Sequence, residues 1–96
     1  MGEMTGRDDP RPPRRNPAAA FRVFEGEATI ILPDGSYIKV LNETGSRIWE
    51  LLDGSRGVKE IAAVIAGEYD TTAESAERDV REFVQELSRH RMLELP

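Results

Sequence analysis

Residues 28–41, ATIILPDGSYIKVL, hold two runs of aliphatic and β-branched residues on either side of the tetrapeptide PDGS at 33–36. Proline presets one turn dihedral and glycine accepts the positive φ of a tight hairpin, so this tetrapeptide predicts a turn between antiparallel strands. Upstream, residues 21–24 (FRVF) predict another strand, which is joined to the first run by the turn EGE at 25–27. The region therefore predicts a three-stranded antiparallel β-meander.

Beyond this meander, the spacing of apolar residues lengthens from two to about 3.6, which predicts helices. The first helix is expected to start at Asn42 or Thr44, either of which can act as an N-cap, and to end at Asp53-Gly54. The second is expected between Gly57 and Gly67. Its apolar stripe consists of Val58, Ile61, Ala62 and Ile65.

The third predicted helix is the longest. It starts at residues 71–74, TTAE, which match a capping box in which a threonine hydroxyl and a glutamate carboxylate accept hydrogen bonds from free amides. Apolar residues then follow one line for about five turns. They are Ala76, Val80, Phe83, Val84 and Leu87, and the contact is expected to continue through Met92, Leu93 and Leu95.

Together these elements predict an α+β fold, with a three-stranded antiparallel β-meander followed by a three-helix bundle. The arrangement resembles a winged helix whose sheet comes first. The length of 96 residues suits one small domain. Residues 1–17 are rich in proline and arginine and have almost no side chain to bury, so they predict a disordered arm before a domain over 18–96. No function is assigned to the arm.

Charge is distributed unevenly along the chain, whose formal net charge is −5. Residues 1–17 carry four arginines against three acids, whereas 18–96 carry nine basic against fifteen acidic residues. An acidic domain repels phosphate backbones, so no nucleic acid is expected as a partner. No apolar run approaches the ~20 residues needed to cross a bilayer. The sequence therefore predicts a cytoplasmic protein without a membrane partner.

The residue types that catalysis and metal binding require are scarce. The chain has no cysteine, and its one histidine, His90, lies between Arg89 and Arg91. We interpret His90 as an exposed residue at a helix end, where it interacts with the helix dipole. No serine occurs in a nucleophile-elbow motif, and no glycine-rich phosphate loop is present. We therefore expect no catalytic residue, no metal and no cofactor, and a protein that is not an enzyme.

The segment LNETGSRIWELLDG, residues 41–54, resembles the signature of the pyrroloquinoline-quinone biosynthesis protein D family. This family is also known as the recognition element of pathways that make ribosomally synthesised and modified peptides. The resemblance covers roughly residues 20–95. Two departures concern helix ends: Gly57 replaces a threonine or serine cap, and residues 90–92 (HRM) replace a glycine-leucine ending.

The resemblance implies a peptide-binding module. Such a module captures the leader region of a precursor peptide and presents it to a modifying enzyme, such as a radical S-adenosylmethionine protein, or to a leader peptidase. The family binds its peptide between the third strand and the third helix. This site maps onto Tyr37, Ile38, Lys39, Val40 and Leu41 on one side and onto Asp79, Val80, Phe83, Val84 and Leu87 on the other.

Several alternatives stay open at this point. The apolar residues of the third helix are also at core spacing, and either face of the strand 37–41 can pack on the helices. Lys39, Arg78 and Arg81 are partners for acidic leader residues or ordinary surface charges. Trp49 is a core anchor or part of a surface facing the enzyme. A winged-helix-like transcription regulator and a small structural subunit of a larger biosynthetic enzyme are the alternative functions.

Overall fold

The computed structural model describes residues 12–94 and contains five strands and three helices within them. The strands are β1 (Arg14–Arg15), β2 (Ala20–Phe24), β3 (Glu27–Ile31), β4 (Ile38–Val40) and β5 (Leu93–Glu94). The helices are α1 (Glu43–Leu51), α2 (Val58–Glu68) and α3 (Ala73–Arg89). None of these helices is both long and apolar enough to cross a bilayer.

The antiparallel meander β2-β3-β4 confirms the predicted sheet and fold class. Its first turn is a two-residue hairpin in which Glu25 and Gly26 have φ of 53° and 82°. Two positive φ values in succession match the right-handed twist of the flanking strands. In the second turn Gly35 has φ of 71°, and the amide of Leu32 donates to the carbonyl of Tyr37.

Each helix starts with a side chain that accepts a hydrogen bond from a free amide. The side chain of Asn42 accepts from Gly45 N at 2.8 Å, which selects Asn42 as the cap of α1. At α2, Glu60 reaches back to Gly57 N at 2.8 Å and so substitutes for the missing cap side chain. The cap of α3 is Thr72, one residue later than the predicted capping box, because its hydroxyl accepts from Ser75 N.

The core lies between the inner face of the sheet and the three helices. Trp49 is completely buried at its centre, with the ring of Phe21 packed edge-on at 5.5 Å. Trp49 is therefore a core anchor. The other large residues that are fully buried are Ile30, Leu52, Ile61, Val80, Leu87 and Met92.

Residues near the two ends of the described chain pair with each other. β1 is antiparallel to β5, and the Arg15 guanidinium donates to the carbonyls of Trp49 and Glu50 at 2.9 Å. These carbonyls lie at the end of α1, where the helix dipole favours a cation. Arg14 and Arg15, which belong to the arm expected from the sequence, therefore pair with folded residues. Residues 1–11 and Leu95 lie outside the described residues.

Candidate binding groove

One edge of the sheet is open along β4. The amide of Leu41 donates to Ala28 O at 2.8 Å, and the carbonyl of Tyr37 accepts from Leu32, so these residues direct their backbone groups toward β3. Successive residues of a strand direct these groups to opposite sides. Ile38 and Val40 therefore direct their amides and carbonyls to the free edge, which no other strand of the described chain covers.

The side chain of Ser46 ends the ladder between β3 and β4. Its hydroxyl accepts from Ala28 N at 2.7 Å and lies 3.4 Å from Leu41 O, to which it donates. Ser46 is 5% exposed, so both backbone groups are satisfied in the interior without a further strand residue. The chain is thereby free to turn from β4 into α1.

The two faces of β4 have different surroundings, which answers a question that the sequence left open. Tyr37 and Lys39 are half-buried on the inner face, toward α3. Ile38 and Val40 lie on the outer face and are 57% and 67% exposed.

Two contacts connect the β4 region to the C-terminal half of α3. Lys39 Nζ lies 2.6 Å from Glu86 Oε2, and the rings of Tyr37 and His90 stack at 3.9 Å with an interplanar angle of 7°. The hydrogen bond from Lys39 lowers the pKa of the Glu86 carboxyl. The expectation of an exposed histidine at the helix end is wrong, because His90 is half-buried against Tyr37.

Toward the N-terminal half of α3 the groove is open. Here a cavity of about 470 Å³ lies between β4, the start of α1 and α3. Its lining consists of Lys39, Val40, Leu41, Asn42, Thr44, Gly45, Ile48, Asp79 and Phe83.

Gly45 allows the close packing at the base of this cavity. A Cβ atom at this position would lie 3.6 Å from the Phe83 ring and 3.2 Å from Asn42 Oδ1. The helix therefore presents bare backbone next to Phe83.

Five of the ten site residues expected from the sequence line the cavity together: Lys39, Val40, Leu41, Asp79 and Phe83. Tyr37 and Ile38 do not line it, because Tyr37 stacks on His90 and Ile38 lies on the outer face. Val80 and Leu87 are completely buried and Val84 packs half-buried against the core, so these three support the groove without lining it.

The wall that α1 contributes was not among the site residues expected from the sequence. Asn42, Thr44, Gly45 and Ile48 all lie within the segment 41–54 that carried the resemblance. The helical spacing of Thr44 and Ile48 places them on one face, which was a usable signal.

The arrangement suits reversible binding of an extended chain. The strand edge offers amides and carbonyls, and the cavity offers an apolar base with Asp79 at its rim. Within residues 12–94, no three His, Asp or Glu residues lie close enough to hold a metal ion.

Sequence comparison relates the chain to a known family. The model of the family described as coenzyme PQQ synthesis protein D (PqqD) matches residues 28–93. The PqqA binding protein of Rhizobium meliloti (strain 1021) is 37% identical over 70 residues, which are 73% of this chain and 69% of that protein.

Solved structures share the fold. The structure of TbiB1 in complex with the TbiA(beta) leader peptide has a TM-score of 0.77 at 28% identity, covering 84% of this chain and 94% of that chain. The solution NMR structure of the PqqD truncation of Methylobacterium extorquens PqqCD, described as a functional, stand-alone RiPP recognition element, has a TM-score of 0.70 at 24% identity. The latter match covers 85% of this chain and 87% of that chain.

Proposed function

This chain belongs to the PqqD family, and from that premise we propose that it binds the leader region of a ribosomally synthesised precursor peptide by strand addition to β4. The bound precursor is presented to a modifying enzyme, of the radical S-adenosylmethionine type or another, or to a leader peptidase. The protein itself acts as a non-catalytic adaptor. The observation that carries the proposal is the free edge of Ile38 and Val40 beside an open groove.

Strand addition gives affinity that tolerates different leader sequences. The amides and carbonyls of Ile38 and Val40 can form up to four backbone hydrogen bonds with a peptide, each contributing about 1 kcal/mol. Peptide residues opposite Lys39 and Leu41 direct their side chains into the groove, because cross-strand neighbours share a face. The proposed site therefore comprises residues 37–41, Asp79, Phe83 and the α1 residues Asn42, Thr44, Gly45 and Ile48.

Two relatives support a peptide ligand. The relative from Rhizobium meliloti is a PqqA binding protein, and the TbiB1 structure holds a leader peptide. No feature of residues 12–94 specifically favours the transcription-regulator or structural-subunit alternatives.

The test uses the backbone amide of Val40, which points to the free edge of the sheet. Val40→Pro removes an amide that faces the free edge, so it should leave the β3–β4 ladder and the fold intact while removing a hydrogen bond to the peptide. Val40→Ala shortens the same side chain but keeps the amide, and serves as the matched control.

Isotope-labelled protein is titrated with the leader segment of the precursor encoded beside its gene, and amide shifts are followed by NMR. We expect shifts concentrated in residues 36–48 and 76–87, retained affinity in Val40→Ala and about a fivefold or greater loss in Val40→Pro. Equal affinity of both variants would rule out strand addition at β4. An absence of any shift at high peptide excess would favour a structural subunit.

The adaptor role needs a separate measurement. Modification of the full precursor by its purified enzyme should accelerate when this protein is added, and Val40→Pro should not reproduce the acceleration. An equal rate with and without the wild-type protein would exclude presentation to that enzyme.

A further inference from the structure

We propose that the groove selects peptides with a lysine or arginine two positions before a large apolar residue, with Asp79 pairing with the cation. This inference rests on the proposed function and specifies which leader sequences the site accepts. It follows from the register of the free edge, the apolar base of the cavity and the distribution of charge around it.

The register determines which peptide residues face the groove. All strand pairs in the meander are antiparallel, so we take an added peptide to run antiparallel to β4. Peptide side chains opposite Ile38 and Val40 then face outward, as those residues do. Side chains opposite Leu41 and Lys39, two positions apart along the peptide, face α3.

The position opposite Leu41 is apolar. Leu41 is 3% exposed, and the ring of Phe83 is half-buried nearby. The hypothetical Cβ of Gly45 would be 3.5 Å from Leu41 Cβ and 3.6 Å from Phe83 Cε1, so the three residues meet at one point. The nearest polar atom, Asn42 Oδ1 at 3.2 Å from that Cβ, already accepts from Gly45 N, so a large aliphatic or aromatic side chain there buries apolar area against Leu41 and Phe83.

The cationic groups near the groove already have carboxylate partners. Lys39 pairs with Glu86, and Arg81 pairs with Glu77 on its own helix. Arg78, the third cation that the sequence offered as a partner for an acidic leader residue, contacts only Asp79 among the described ion pairs, at 3.7 Å.

Within residues 12–94, Asp79 has no comparable partner. Its only ion pair among the described residues is with Arg78 at 3.7 Å, where both side chains are 65% exposed. Asp79 lines the cavity and therefore offers a carboxylate to a bound cation.

The two-residue spacing between the cation and the apolar residue follows from the geometry of α3 and of an extended peptide. Asp79 precedes Phe83 by four helix residues, a rise of about 6 Å, and two residues of an extended peptide span about 6.6 Å. An antiparallel peptide passes Asp79 before Phe83, because Leu41 lies beside Phe83 and Lys39 beside Glu86. The peptide residue at Asp79 therefore comes two positions before the apolar one and lies beyond the C-terminal end of β4, whereas the residue opposite Lys39 comes two positions after it.

The test is a selection of random twelve-residue peptides displayed against the full chain. We expect the enriched peptides to carry Lys or Arg two positions before a large apolar residue. Asp79→Arg should shift that position to Asp or Glu. Glu74→Arg makes the same charge change on the same helix about 140° away. The peptides enriched against this variant should therefore match those enriched against the wild type.

One enriched peptide then provides the quantitative check. Replacing its cation with Glu should weaken binding to the wild type about fivefold and reverse the preference in Asp79→Arg. Identical pools for wild type and Asp79→Arg, with binding still lost in Val40→Pro, would overturn this inference and leave the proposed function standing. Failure to enrich any peptide, or equal binding by Val40→Pro, would overturn both.

Discussion

At the scale of single residues, Arg91 belongs to one of the two departures from the family pattern, residues 90–92 at the end of α3. Its φ of 58° lies in the left-handed region just after α3, where glycine is favoured. Met92 N donates to Leu87 O at 2.9 Å and Arg91 N to Ser88 O at 3.1 Å, the two bonds of a Schellman motif. The arginine is therefore held in a conformation that costs an L-residue about 1 kcal/mol.

Arg91→Gly should remove this cost and stabilise the protein by about 1 kcal/mol, raising Tm by roughly 4–8 °C. Arg91→Ala removes the same side chain but keeps the Cβ, and should give no such gain. Thermal unfolding can be followed through the fluorescence of Trp49, the sole tryptophan, which is buried. Equal Tm values for the two variants would contradict the backbone explanation.

The ion pair of Lys39 and Glu86 makes a pH prediction at the same scale. The pKa of the Glu86 carboxyl is lowered by the hydrogen bond from Lys39, so the pair contributes stability above the ordinary glutamate pKa. This contribution should be lost as the pH falls through the lowered pKa. In Lys39→Met, the carboxyl carbon of Glu86 should titrate at higher pH by NMR. An unchanged titration midpoint would show that the contact does not persist in solution.

At the scale of elements, the start of α1 combines helix formation with the shape of the groove. Alanine normally stabilises a helix by up to about 1 kcal/mol over glycine. Gly67 has no atom within 4 Å of a hypothetical Cβ, so Gly67→Ala should gain much of this amount. Gly45→Ala should gain less, because its methyl would crowd Asn42 Oδ1 at 3.2 Å.

The two glycine variants should also differ in their affinity for the leader peptide. The methyl group of Gly45→Ala projects beside Phe83 and reduces the apolar base, so leader affinity should fall, whereas Gly67→Ala should bind as the wild type does. Urea unfolding and the peptide titration measure the two quantities independently. A Gly45→Ala variant that binds at full affinity would show that the base of the cavity does not contact the peptide.

Elements with local signals could be predicted from the sequence, and contacts between distant elements could not. Alternating strands, turn glycines and the Asn42 cap each depend on a few neighbouring residues, which is why the meander and the three helices were found. The cap of α3 was misplaced because Thr71 and Thr72 are chemically equivalent candidates. The α1 wall of the groove was missed because Ile48 fits a core stripe equally well.

At the scale of the whole molecule, the least predictable contacts join the ends of the described chain to the core. The bonds from Arg15 to α1 span more than 30 residues, and its guanidinium lies 5.6 Å from the ring centroid of Phe21 and 5.9 Å from that of Trp49. Composition alone indicated a disordered segment there. The tertiary partners of an arginine depend on the complete fold, so no local pattern indicated them.

These contacts predict that the domain needs residues before 18. A chain starting at Ala18 should be about 2 kcal/mol less stable than one starting at Pro12, because it loses two charge-assisted bonds and the β1–β5 pairing. Arg15→Met in the longer chain isolates the guanidinium and should account for much of the loss. Leader affinity at a temperature where both chains are folded should be equal, since Arg15 bonds to the end of α1 opposite the groove. Urea midpoints that coincide for the two chains would instead mean that the arm is detached up to residue 17.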